Sequence, residues 1–185
     1  MPVPHSSDSP PTLRGLAPVA DPGTRLLLLG SFPSEASLAA AQYYAHPRNQ
    51  FWPLLSRLFD VDLRALPYAQ RLLEVQRRGL GIWDVYAACE REGSLDSSIR
   101  QARANPLADL VAGLPRLRGI AHNGGESARS LRITRGLVEH CWRLPSSSPA
   151  NASWSFARKL AAWREVFGRC GLLQPGAVQA ARSTL

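Results

Sequence analysis

RLLLLGSFPSEASLAAAQYYAHPRNQFW, residues 25–52, sets the architecture of the whole chain. Its four consecutive leucines, Leu26–Leu29, stop at Gly30. An apolar run that short, ended by glycine, reads as a strand buried on both faces, the type found inside parallel sheets. Gly30-Ser31-Phe32-Pro33-Ser34 breaks it as a loop. In an open α/β sheet, ligands bind at the carboxyl ends of such strands. Tyr43, Tyr44, His46, Arg48, Asn49, Phe51 and Trp52 follow within a few residues. Flat rings mixed with polar groups suit a pocket that stacks a planar ring and hydrogen-bonds its edge.

Outward from this stretch, strands and helices alternate. Helices are expected over Ser34–Gln42, Asn49–Phe59, Tyr68–Arg78, Pro106–Ala112, Glu126–Leu131 and Trp154–Phe167. Asn105 is the candidate cap for the fourth, and Asn151 or Ser153 for the last. Pro53 is tolerated in the first turn of the second helix. Further strands are expected at Gly81–Tyr86, Arg118–Ala121 and His140–Leu144. Ser94–Gln101 reads as a polar loop. The sum is a three-layer α/β/α domain around a mainly parallel four-stranded sheet. It would span residues 22–170, after a Pro/Ser-rich leader (1–21) in which Leu13–Val19 can pack as an edge segment, and before a tail (171–185).

The chain has 185 residues, 45% of them hydrophobic, enough for one domain with a real core. No apolar run approaches the roughly 20 residues of a membrane span, and no signal region opens the chain. Cys89, Cys141 and Cys170 lie far apart without a CxxC, so neither a zinc site nor a disulfide framework is suggested. A reducing cytoplasm, beside the nucleoid, is the expected home. The net charge is +8 and the pI about 10.4. That balance fits a polyanionic partner, DNA above all. A bias in genome composition toward arginine gives the same number, because Lys159 is the only lysine. Neither GxGxxG nor GxxxxGK[ST] occurs, so a dinucleotide or P-loop enzyme has no support.

GxxP after a buried strand, then HPxNxFW, resembles the uracil-DNA glycosylase superfamily. GSFPS followed by YYAHPRNQFW is most similar to its hypoxanthine (deoxyinosine) DNA glycosylase family, and the likeness runs from about Leu26 to Phe167. The resemblance implies an enzyme of base-excision repair that flips deaminated bases from double- or single-stranded DNA and hydrolyses the N-glycosidic bond. Hypoxanthine would be the first substrate and uracil a further one. The product is an abasic site, with no cofactor and no metal, and a monomer suffices. A mismatch-specific uracil or thymine glycosylase, or a non-catalytic DNA-binding relative, are the alternatives. Three scattered cysteines do not fit the iron–sulfur cluster that some relatives hold on four.

Such chemistry passes through an oxocarbenium-like sugar. It needs a held water, a stacking ring, groups that read the base edge and clamps on flanking phosphates, after an extrusion costing roughly a few kcal/mol. Many relatives carry Asp or Asn where Phe32 stands here, and Phe32 cannot hold a water. In the hypoxanthine family the HPxN asparagine is catalytic, which implies Asn49. A neutral amide orients rather than deprotonates. Asn49 also reads as a helix cap, and both roles can coexist. Tyr44 matches the aromatic just before HPxN and is the candidate stacking ring, or else a packing tyrosine. Ser31 and Phe32 would line the same pocket. Phe51 and Trp52 lie on a helical stripe and read as core, and His46 as structural. Asp84 ends a buried strand and is placed to read a base edge, as acceptor or, if buried and protonated, as donor. A cap or an ion pair is its plainer reading. Asn123 is a weaker candidate, since Asn-Gly-Gly is ordinary turn chemistry. LPSSSPAN, residues 144–151, resembles the superfamily's second motif, implying DNA contacts from Ser146, Ser147, Ser148 and Asn151, with Pro33 from the first loop. Relatives insert an apolar wedge from this motif, and the small serines here leave the wedge unassigned. Arg48, Arg143 and Arg158 can add salt-dependent attraction. No lysine lies in these motifs, which argues against Schiff-base chemistry.

Overall fold

The structure is a computed structural model that describes residues 11–173. Strands are β1 (Thr12–Arg14), β2 (Leu26–Gly30), β3 (Leu80–Asp84), β4 (Tyr86–Glu90), β5 (Arg100–Ala104), β6 (Gly119–Asn123) and β7 (Cys141–Leu144). Helices are α1 (Glu35–Ala40), α2 (Phe51–Phe59), α3 (Tyr68–Arg77), α4 (Leu107–Ala112), α5 (Gly125–Ala128), α6 (Leu131–Thr134) and α7 (Phe156–Arg169).

The leucine run is the central strand. Leu26–Leu29 have no exposed surface, and β2 pairs in parallel with β3 on one side and β6 on the other. β7 extends the sheet beside β6, giving the order β3-β2-β6-β7 with every pair parallel. Parallel strands must be joined by crossovers, so helices cover the sheet and continuous apolar strands follow. α3 packs on β3, α5 on β6, α6 on β7, and α7 on β7 and α2. α2 turns Phe51, Trp52, Leu54, Leu55, Leu58 and Phe59 into this core. Pro53 lies in its first turn, where a missing N–H costs no helical bond.

Five expectations are corrected. First, a three-stranded antiparallel sheet, β1-β4-β5, stands beside the parallel one. Val85 separates β3 from β4, so Gly81–Tyr86 is not one strand. Ser94–Gln101 is not a plain loop but a single 3-10 turn, Asp96–Ser98, feeding β5. Second, part of the expected leader belongs to the fold, as the edge-segment reading of Leu13–Val19 has it: Leu13 pairs with Cys89 in β1–β4, with β1 at the sheet edge, and Val19 bridges Ile82. Residues 1–10 of the expected leader, and the tail from 174, lie outside the described residues. Third, α7 starts after Ser155, whose hydroxyl accepts from the Arg158 N–H, so neither Asn151 nor Ser153 caps it and Trp154 stands outside. Fourth, Asn105 does not cap α4; its side chain donates to the Asp84 carbonyl at 2.8 Å. Fifth, the helix expected over Glu126–Leu131 is two single turns, α5 and α6.

Candidate functional site

The carboxyl ends of the four parallel strands open into one cavity of about 800 Å³. β2 supplies the Gly30–Ser34 loop, β3 supplies Asp84, β6 supplies Asn123, and β7 leads into residues 145–151. The α1–α2 connection adds Tyr44 and Asn49, and the β4–β5 connection adds Ser94–Ser97.

Asn49 lines this cavity and is partly exposed. Its Oδ1 accepts from the Phe51 N–H at 2.9 Å, which fastens the start of α2. A carbonyl oxygen has two lone pairs, so a second remains for a water. The Nδ2 makes no hydrogen bond among the described residues. Gln50, not Asn49, is the N-cap of α2 and makes no side-chain capping bond, so Asn49 braces the helix from one residue ahead of the cap while it lines the cavity. His46 shapes the turn before it: its Nδ1 accepts from the Arg48 N–H, and its carbonyl accepts from the Asn49 N–H.

Tyr44 holds a left-handed backbone with φ 55°, a state that costs a side-chain-bearing residue about 1–2 kcal/mol. What fixes it there is packing. Its ring stacks on Phe51 at 3.7 Å and 14°, and its hydroxyl accepts from Asn123 Nδ2 at 3.2 Å. One face of the ring is thus filled, and a planar ligand in the cavity would use the other. Burial, with the Asp84 carboxylate adding to it, pushes the phenol well above its usual range, so it stays neutral. Gly30 makes the arrangement fit. A Cβ there would collide with Asp84 Oδ1 and sit 3.1 Å from the Tyr44 hydroxyl.

Asp84 is 4% exposed, and its Oδ2 is buried with no partner. Burial raises its pKa to about 7; the Asp96 carboxylate adds to the rise, and the Arg91 guanidinium opposes it. Near neutral pH the group is both a proton donor and an acceptor. Neither a helix cap nor an ion pair uses it, since no basic group lies within 4 Å among the described residues. Ser31 donates its hydroxyl proton to Asp96 at 2.5 Å and also lines the cavity. Phe32 is buried, with the Arg91 guanidinium 5.1 Å over its ring, and Arg91 also donates to the Pro33 carbonyl. Arg91 braces the first loop from behind, a role that nothing in its local sequence announces.

Asn123 is not a free pocket amide. Its Nδ2 donates to the Tyr44 hydroxyl and to Ser147 Oγ, and its Oδ1 accepts from the Ser147 N–H at 2.9 Å. Both donors are committed, so Asn123 clasps three chain segments together. Ser147, expected at the DNA surface, is fully buried inside that clasp, and its carbonyl accepts from the Gln50 N–H. Pro33 is buried as well. Ser146 and Ser148 remain partly exposed. Their hydroxyl oxygens accept from the Ser148 and Ala150 N–H groups, which leaves both hydroxyl protons free to donate. Asn151 ties the loop to itself, donating to the Ser146 carbonyl at 3.1 Å. Beneath them, Lys159 is 2% exposed and donates to Gln50 Oε1 at 2.8 Å and to the Asn151 carbonyl at 2.9 Å. Burial lowers its pKa. It sews the start of α2 to the 145–151 loop, and sequence pattern gave no hint of it. His122 is buried between Ser127 and Thr134 and pushed down to about 4, so it is neutral and structural.

A family model described as the uracil DNA glycosylase superfamily matches residues 17–167. The chain belongs to that superfamily. It is 37% identical to the hypoxanthine DNA glycosylase of Methanosarcina barkeri over 156 residues, covering 84% of this chain and 98% of the relative. The hypoxanthine DNA glycosylase of Methanosarcina acetivorans is 37% identical over 154 residues, 83% of this chain and 97% of its own. A solution structure from Methanosarcina acetivorans, of a protein described as a candidate uracil DNA glycosylase, superposes with a TM-score of 0.77 at 35% identity. It covers 86% of this chain and 99% of its own length. These likenesses agree with the expected family and with the α/β fold built on a parallel sheet. The glycosylase superfamily assignment makes the cavity at the strand ends the place to look for chemistry. Among the described residues no cluster of three metal-binding side chains occurs, and no helix is long and apolar enough to cross a membrane.

Proposed function

We propose that this glycosylase superfamily member releases deaminated bases from DNA by hydrolysis, hypoxanthine first, leaving an abasic site. The observation that carries the reading is the juxtaposition of Asn49, the Tyr44 ring and the buried Asp84, its pKa raised to about 7, around one cavity. An extruded base entering it stacks on Tyr44, a contact worth roughly 1–3 kcal/mol. Ionised Asp84 accepts from N1–H of hypoxanthine. Protonated, it donates to a ring acceptor and meets the negative charge that grows on the departing base. Asn49 Oδ1 aims a water at C1′ with its second lone pair. Asn49 is a neutral amide and takes no proton from that water, so its share of the rate comes from positioning, and Asp84 contributes by stabilising the leaving group. The same carboxyl also suits N3–H of uracil, which makes uracil the second substrate. Ser146 and Ser148 donate to flanking phosphate oxygens, and exposed Arg48 and Arg143 add salt-dependent attraction. The reaction ends at the abasic site, because the sole lysine has its Nζ buried and committed to two acceptors.

The test uses purified protein and oligonucleotides carrying inosine, uracil or xanthine, with alkali to cut abasic sites. Inosine DNA is cut, and Asn49→Ala is slower by a factor on the order of 100. An unchanged rate in the variant removes the mechanism even where the activity stands.

A further inference from the structure

Extruding a nucleotide leaves a hole in the base stack that must be filled, and short serine side chains cannot fill it. Among the described residues four large apolar side chains stand exposed: Leu73, Leu95, Ile133 and Trp154. Two of them, Leu95 and Trp154, line the cavity. They come from different sides of it. Trp154 follows β7, at one edge of the sheet, whereas Leu95 sits on the β4–β5 hairpin over the β2 loop. The Leu95 side chain is 58% exposed although its neighbours Ser94, Asp96 and Ser97 are polar. It is not a frayed loop tip. Ser94 Oγ accepts from the Glu35 N–H at 3.0 Å, and Asp96 accepts from Ser31 at 2.5 Å. Those two pins flank Leu95 and hold it at the mouth. Trp154 is less suited to insertion, because the Arg158 guanidinium already lies 4.4 Å over its ring.

We propose that Leu95, carried by the β4–β5 hairpin rather than by the 145–151 loop, enters the duplex and occupies the space that the extruded nucleotide vacates. The inference rests on the base-excision reading above, and it assigns a DNA-contacting function to the sheet that the sequence concealed. The pins explain the placement: an apolar side chain kept in water costs free energy, which is recovered when bases cover it.

A single strand has no stack to hold open, so the signature is a ratio. Single-turnover base release is measured on inosine in duplex and in single-stranded oligonucleotides for wild type, Leu95→Ala, Leu95→Met and Trp154→Ala. Leu95→Ala lowers the duplex rate about tenfold, the scale set by covering one aliphatic side chain, and lowers the single-strand rate by a clearly smaller factor, so the duplex-to-single-strand ratio falls. Leu95→Met restores the wild-type ratio. Equal losses on both substrates, or a ratio that moves in Trp154→Ala and not in Leu95→Ala, overturn the proposal. A second readout needs no base release. A 2-aminopurine beside a tetrahydrofuran abasic analogue brightens when wild type opens the duplex, and stays dim with Leu95→Ala. Wild type that brightens this probe yet frees no base would refute the excision reading while supporting Leu95. A probe equally bright with Leu95→Ala refutes Leu95.

Discussion

Replacing Asp84 by asparagine should stabilise the protein, and only where Asp84 would otherwise be charged. The carboxyl is buried, with one oxygen unpaired, and its pKa rises from 3.8 to about 7 on folding. Between those two values the unfolded chain has released this proton and the folded chain still holds it. Fewer protons on the unfolded state means that stability falls as pH rises through that window. At about 1.36 kcal/mol per tenfold, the full cost of ionising the folded carboxyl is about 4 kcal/mol, and water in the open cavity reduces it toward about 2 kcal/mol. A carboxamide has nearly the same shape as the carboxyl and never ionises. Urea unfolding of wild type and Asp84→Asn from pH 4 to pH 8.5 checks this. The two should agree to within about 1 kcal/mol near pH 4. The variant should then gain steadily up to about pH 7 and keep a constant advantage of about 2–4 kcal/mol above it. Parallel curves would show that Asp84 titrates normally, and the donor-and-acceptor argument at the site would fall with it.

Asn49→Ala should cost about 1 kcal/mol of stability as the Phe51 N–H loses its partner, a thermal-melt shift far smaller than the loss in base release. Tyr44→Phe keeps the ring on Phe51 and removes the acceptor for Asn123; melting should report a loss of about 1 kcal/mol with base release largely kept. Tyr44→Ala should weaken binding of a lesion-bearing oligonucleotide by about 1–3 kcal/mol in an anisotropy titration. Gly30→Ala drives a Cβ into Asp84 Oδ1. Base release should fall steeply while circular dichroism still shows the sheet, and a fully active variant would mean that Asp84 moves at no cost.

The parallel sheet was legible because burial on both faces leaves an unmistakable apolar run at Leu26–Leu29, and Gly30 punctuates it. The antiparallel sheet was not, because β5 reads Arg-Gln-Ala-Arg-Ala and every residue of it is exposed. Its extended state comes from pairing with β4, not from any preference of its own. The motif picked out Asn49, and the structure puts it at the cavity with one oxygen lone pair on the Phe51 N–H. Asn123 was not legible, since Asn-Gly-Gly looks like any turn while its partners lie 79 and 24 residues away. Lys159 and Arg91 escaped for a related reason. A long cationic side chain reads as surface until the fold shows which carbonyls it was grown to reach.

The Asn123–Ser147 clasp has a consequence for the protein's synthesis. Tyr44 is locked through a side chain made 79 residues later, and that side chain is locked through a serine later still. A nascent chain that has emerged only as far as β6 carries Tyr44, Asn49 and Asp84 and the Tyr44–Phe51 stack, but lacks Ser147, the far half of the clasp that ties them to the 145–151 loop. On the base-excision reading, base release would then require chain made past Ser147, and a product ended short of the 145–151 loop would lack it.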